Sequence, residues 1–135
     1  MEARQSGERS RDRGSITGFV VVITLMVMAC AGLAVDGGRV VAAKVTAADH
    51  AENAARAAAQ ELTQLRTGGW VIDPARASAT AHAYLATHGV GGTVQASPTS
   101  VSVTVLSTVS TTLLRLVGVP SKTVSVTRTS YPTSQ

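Results

Sequence analysis

The chain is short of the residues that most chemistries need. It has a single cysteine, Cys30, which excludes an intramolecular disulfide and any cysteine-based zinc cluster within one chain. Aromatics make up 3% of the 135 residues, so a folded core must be built from Ala, Val and Leu and will be thin. Charged residues reach only 15%, against roughly a quarter in ordinary globular domains, and a net charge of +4 is not that of a polybasic nucleic-acid binder. The three histidines, His50, His82 and His88, form no HExxH motif and no pair four residues apart. GxSxG, Walker A and GxGxxG patterns are likewise missing. These absences exclude the common catalytic, metal and cofactor constellations, and the chain reads as noncatalytic.

What is present is concentrated near the N-terminus. Residues 16–35, with Ile16 and Val35 at the ends, carry no charge and are bracketed by Arg13 and Asp36. Twenty helical residues rise about 30 Å, the thickness of a bilayer's hydrocarbon core. The stretch therefore predicts a transmembrane helix in contact with lipid. Thr17 and Thr24 are compatible with it, because their hydroxyls bond back to the preceding turn. Gly18 and Gly32 would let a neighbouring helix approach closely. Arg4, Arg9, Arg11 and Arg13 precede the run, while only Arg39 and Lys44 follow closely. This asymmetry predicts a single pass through the cell membrane with a cytoplasmic N-terminus and an extracytoplasmic C-terminal part. Residues 1–15 form a basic leader suited to anionic headgroups. A second reading rests on Cys30: Val27-Met28-Ala29-Cys30 is a possible lipoprotein signal, which would make the chain a surface lipoprotein anchored at Cys30 with a binding or scaffolding role. Otherwise Cys30 is a small hydrophobe facing lipid or a helix neighbour.

Beyond Asp36 the sequence predicts an α+β arrangement. An alanine-rich amphipathic helix occupies 36–66, with Gly37-Gly38 as its bend at the membrane surface. Its apolar face, Ala47, Ala51, Ala54, Ala58, Leu62 and Leu65, recurs at spacings of three and four and is the candidate interaction face, packing on the head or on partner helices. Glu52 and Arg56 pair across one turn on the opposite face. A small head fills 67–130. Asp73-Pro74 starts a second helix and His88-Gly89 ends it, with Ala79, Ala83, Leu85 and Ala86 as its apolar side and Trp70 as a packing anchor. Period-two alternation then predicts strands at 93–96, 101–105 and 123–127, a small antiparallel sheet of about three strands, with a short helix at 111–117. Residues 131–135 are a flexible tail. Each acid past the span has a structural role: Asp36 at the membrane boundary, Asp73 as a cap, and Asp49, Glu52 and Glu61 on the solvent face.

A basic leader, an apolar helix running into an alanine-rich helix, and a small α+β head make a pilin-like architecture. Arg13-Gly14-Ser15-Ile16-Thr17, Gly32-Leu33-Ala34-Val35-Asp36-Gly37-Gly38-Arg39, Ala47-Ala48-Asp49 and Ala54-Ala55-Arg56-Ala57-Ala58 resemble the TadE/TadG-like proteins of the tight-adherence (Flp) pilus, actinobacterial members in particular. The resemblance implies a bitopic minor pilin or assembly factor, with membrane lipid, other Tad assembly proteins and, through helix packing, further copies as its partners; it implies neither nucleic acid nor a cofactor. It also implies a possible prepilin cleavage between Gly14 and Ser15. Pseudopilin members carry Glu at the fifth residue beyond the cut, where this chain has Phe19.

Overall fold

The computed structural model describes residues 8–65 and 69–132, with side chains from Ile16 onward except that of Val117. Residues 1–7 of the leader, residues 66–68 and the last three tail residues lie outside the described residues.

One helix dominates. Helix α1, Glu8–Ala59, runs 52 residues without interruption, about 78 Å at 1.5 Å per residue. The helix is not interrupted at Gly37-Gly38, where the sequence suggested a bend or joint. Each glycine costs about 1 kcal/mol relative to alanine, but the flanking Asp36 and Arg39 are both tied to the head, which holds the helix on either side of the pair. The C-terminal end also differs from expectation: α1 stops at Ala59 rather than continuing to residue 66. Its last amides close tighter turns, Gln60 N–H to Ala57 O and Glu61 N–H to Ala58 O. The chain then enters strand β1, Leu62–Gln64, which pairs antiparallel with β2, Trp70–Ile72. Apolar spacing continued into Leu62 and Leu65, but Asp73 N–H bonds Glu61 O at 2.8 Å and draws the backbone into the hairpin.

Helix α2, Pro74–Thr87, begins as the sequence indicates. Asp73 Oδ1 accepts from the amides of Ala75 and Arg76 at 3.0 and 3.2 Å, proline occupies the first turn, and Gly89 takes a positive φ of 64° after the helix. Its buried side is Ala77, Ala81 and Leu85; Ala79, Ala83 and Ala86 face solvent, because the register is fixed by Leu85 entering the core. Trp70 is 62% exposed at the hairpin and is not a packing anchor.

Three longer strands follow: β3, Gly91–Ala96, β4, Val101–Ser110, and β5, Ser121–Ser130, in the order β3-β4-β5, all antiparallel. Their alternation separates two faces. Val101, Val103, Val105, Val124 and Val126 point inward. Outward hydroxyls pair across the strands, Ser102 with Thr129 and Thr104 with Thr127 at 2.8 Å, and Thr108 with Thr123 at 3.2 Å. The valine face lies on the alanines of α1, namely Ala47, Ala51, Ala54, Ala55, Ala58 and Ala59, with α2 closing the side. Methyl-sized side chains let helix and sheet approach closely, so a core almost free of aromatics still excludes water. Within the sheet, a Cβ on Gly92 of β3 would sit 2.5 Å from Thr104 O of β4 and 3.1 Å from Leu85 Cδ1.

Candidate functional site

The most elaborated contacts outside the core lie where the apolar half of α1 meets the head. Strands β4 and β5 are joined by a loop, 111–120, containing a short 3-10 helix, Leu114–Val117. This loop folds back against α1 and is held there by Asp36. Asp36 Oδ1 accepts from Thr112 N–H at 2.9 Å, and Oδ2 accepts from the amides of Leu113 at 2.8 Å and Leu114 at 2.9 Å. The residue is 1% exposed. The Thr112 amide, then that of Leu114, hold its carboxyl below the ordinary aspartate range; burial opposes them, and the Leu113 amide and nearby Arg39 add to the lowering. Arg39 also donates to Thr112 Oγ1 at 2.5 Å.

One turn before Asp36, Gly32 is buried beneath Leu113. A Cβ on Gly32 would overlap Leu113 Cδ1 and lie 2.7 Å from its Cγ. The close approach at Gly32 is made by the head's own loop, not by the neighbouring helix the sequence suggested. Leu113, Leu114 and Leu116 complete an apolar groove of about 410 Å³ with Met26, Ala29, Cys30 and Leu33. Cys30 is exposed on the helix surface in this groove.

The sequence-nominated interaction face divides. Ala47, Ala51, Ala54 and Ala58 are buried beneath the sheet and are core. Leu62 is on β1, packed at the core's edge, and exposed Leu65 lies beyond it, both off the helix. The face is thus filled from within the chain, because the valine side of β4 and β5 covers it. Opposite, Glu52 and Arg56 pair at 2.7 Å as expected, and Glu52 also reaches Arg128 of β5 at 3.6 Å. Gly14 and Ser15 lie in the opening turns of α1. Ile16 and Val35 are on its exposed part.

Sequence reasoning missed a ring cluster. Tyr84 and His88 stack at 4.2 Å between centroids, His50 of α1 lies 5.4 Å from His88, and His88 Nδ1 is 2.8 Å from Tyr84 O. The spacing of four between Tyr84 and His88 was the available signal. Among the described residues no group of three or more His, Cys, Asp or Glu could hold a metal ion.

Comparison with known families bears on the helix that organises this joint. Residues 14–61 match the family model described as "Putative Flp pilus-assembly TadE/G-like". This stretch is similar to TadE/G-like proteins. It takes in nearly all of α1, including Gly32, Asp36 and the four core alanines, and ends just before the first hairpin. The TadE/G-like segment associates the chain with Flp pilus assembly. Within it lies a helix long and apolar enough to cross a membrane, with little of its apolar window buried by the rest of the chain. No curated protein and no solved structure matches the chain.

Proposed function

We propose that the chain is a noncatalytic single-pass membrane protein that serves as a minor pilin or assembly factor of a Flp/Tad-type pilus. The observation that carries the reading is the division of the TadE/G-like segment. Its apolar run, 16–35, is exposed apart from Gly32, whereas its alanine half is sheathed by the head. Twenty uncharged residues exposed to water would be very costly, and a bilayer removes that cost. The arginines before the run orient the N-terminus to the cytoplasm and the head outside the cell membrane. Phe19 in place of Glu favours an anchor retained in the membrane over cleavage between Gly14 and Ser15.

The alanine face is used within the subunit, so partner contacts fall to other surfaces, among them the free edges of β3 and β5. Isolation of the full chain from membranes of its host tests the proposal. Co-purification of other pilus-assembly proteins, with the head open to protease only from outside, is the expected result. A head cut only from the cytoplasmic side, or isolation free of pilus components, would overturn it.

A further inference from the structure

We infer that the β4–β5 loop is a second membrane contact, its leucines seated in the outer acyl region of the lipid beside the transmembrane helix. The inference rests on the reading that residues 16–35 of α1 span a bilayer.

Three observations place lipid on this loop. First, its level on the helix is fixed by Gly32 and Asp36. The groove it forms uses Met26, Ala29, Cys30 and Leu33, which lie about 3 to 14 Å inside Val35 along the helix. A bilayer that covers residues 16–35 therefore reaches the loop as well. Second, large apolar side chains are bare on the loop, beside the exposed polar residues Thr112 and Arg115. Leu116 is 80% exposed, Val119 41% and Leu113 38%, and the groove between loop and helix has the lining an acyl chain would meet.

Third, the loop's backbone is prepared for a medium without water, where each unpaired polar group costs several kcal/mol. The amides of Thr112, Leu113 and Leu114 go to the Asp36 carboxylate. Those of Leu116, Gly118 and Val119 bond to Leu113, Arg115 and Leu114 carbonyls. Thr111 N–H bonds Pro120 O, and its hydroxyl donates to Val119 O. This pairing lets the loop enter hydrocarbon without stranding those amides. Arg115 is the one charge in the loop, and its long aliphatic stem lets the guanidinium reach headgroup phosphates while the neighbouring leucines stay in hydrocarbon.

The test uses the full chain with Cys30→Ala, reconstituted in phosphatidylethanolamine and phosphatidylglycerol vesicles. Single cysteines for a polarity-sensitive fluorophore replace Leu116, mid-span Val22, or Thr99 in the β3–β4 turn at the far end of the sheet. Leu116 is largely exposed, so its replacement removes little packing. The Leu116→Cys label is expected to show blue-shifted emission, quenching by lipids with a nitroxide near the headgroup end of the acyl chain, and protection from aqueous iodide. The Thr99→Cys label should behave as in water. An iodide-quenched label at 116 with a lipid-quenched label at 22 would overturn this inference alone, and iodide quenching at both would overturn the membrane anchor. A label at 116 protected from iodide but untouched by nitroxide lipid would also overturn it, since a protein surface would then cover the loop.

Discussion

Asp36 Oδ2 lies 2.8 Å from the amide nitrogen of Leu113, 77 positions further along the chain. Together with the amides on either side, this bond ties the helix, just past its apolar run, to the loop between the two longest strands. The head is therefore fastened to α1 at two levels, the alanine face and the Asp36 joint.

Replacing Asp36 with Ala leaves three loop amides without an acceptor. Hydrogen exchange across 111–120 is expected to accelerate on the order of tenfold or more, while the valine core keeps its protection. Asp36→Asn, which retains one acceptor oxygen, should show a smaller change. Exchange measured by mass spectrometry on the reconstituted chain decides this, and unchanged rates in Asp36→Ala would remove the joint from the account.

Acid should loosen the same contact. The carboxyl titrates lower when folded than when unfolded, so the stability it contributes is complete above its unfolded pKa, about 3.9. That contribution falls as pH drops through the lower folded value and is absent below it. A pH series of loop exchange should show the release only under acid conditions, and Asp36→Asn should abolish that pH dependence. Release that set in near neutrality would contradict the assignment.

Two glycines in α1 should respond in opposite directions to alanine. Gly37 has nothing within 4 Å of a built Cβ, so Gly37→Ala should stabilise the helix by up to about 1 kcal/mol. Gly32→Ala collides with Leu113 and should cost about 1–3 kcal/mol through overpacking, partly offset by the same helix gain. Thermal unfolding of both variants in detergent micelles measures the difference, and equal shifts would mean that Leu113 does not seat on Gly32.

The paired change Ala54→Glu and Ala58→Glu places two carboxylates at fully buried positions between α1 and the sheet. Burying charge without partners costs several kcal/mol, a large share of a small domain's stability. Loss of the cooperative unfolding transition by circular dichroism is expected; a native-like transition would show that the head does not rest on this face.

The proposed retention of the anchor has its own measurement. Intact mass of the chain extracted from host membranes should correspond to full length, with or without Met1. Loss of residues 1–14 would show cleavage after Gly14, and a lipidated start at Cys30 would replace the transmembrane reading with the lipoprotein one.

Local features were legible in the sequence where one residue type does one job. Asp73-Pro74 and Gly89 mark the ends of α2, alternating Val and Ser/Thr mark β4 and β5, and Glu52 with Arg56 marks a helical turn. Strand lengths were harder, because β4 continues through Leu106 to Ser110 where the alternation weakens but β5 still offers partners. Leu62 carried the helical period past the true end of α1, since spacing alone does not register the hairpin bond from Asp73 to Glu61. The joint itself was hidden. Asp36 reads as a boundary charge and Gly32 as a helix-contact residue, and only the return of β4 brings residues 112–114 to them.

The unbroken course of α1 has a mechanical consequence. One uninterrupted helix carries both the apolar run and the floor of the head, so where that run spans a membrane, as proposed, tilting it tips the sheet with it and turning it swings the sheet edges around it. Where spans gather side by side, their packing would also set the compass direction in which each subunit points the free edge of β5.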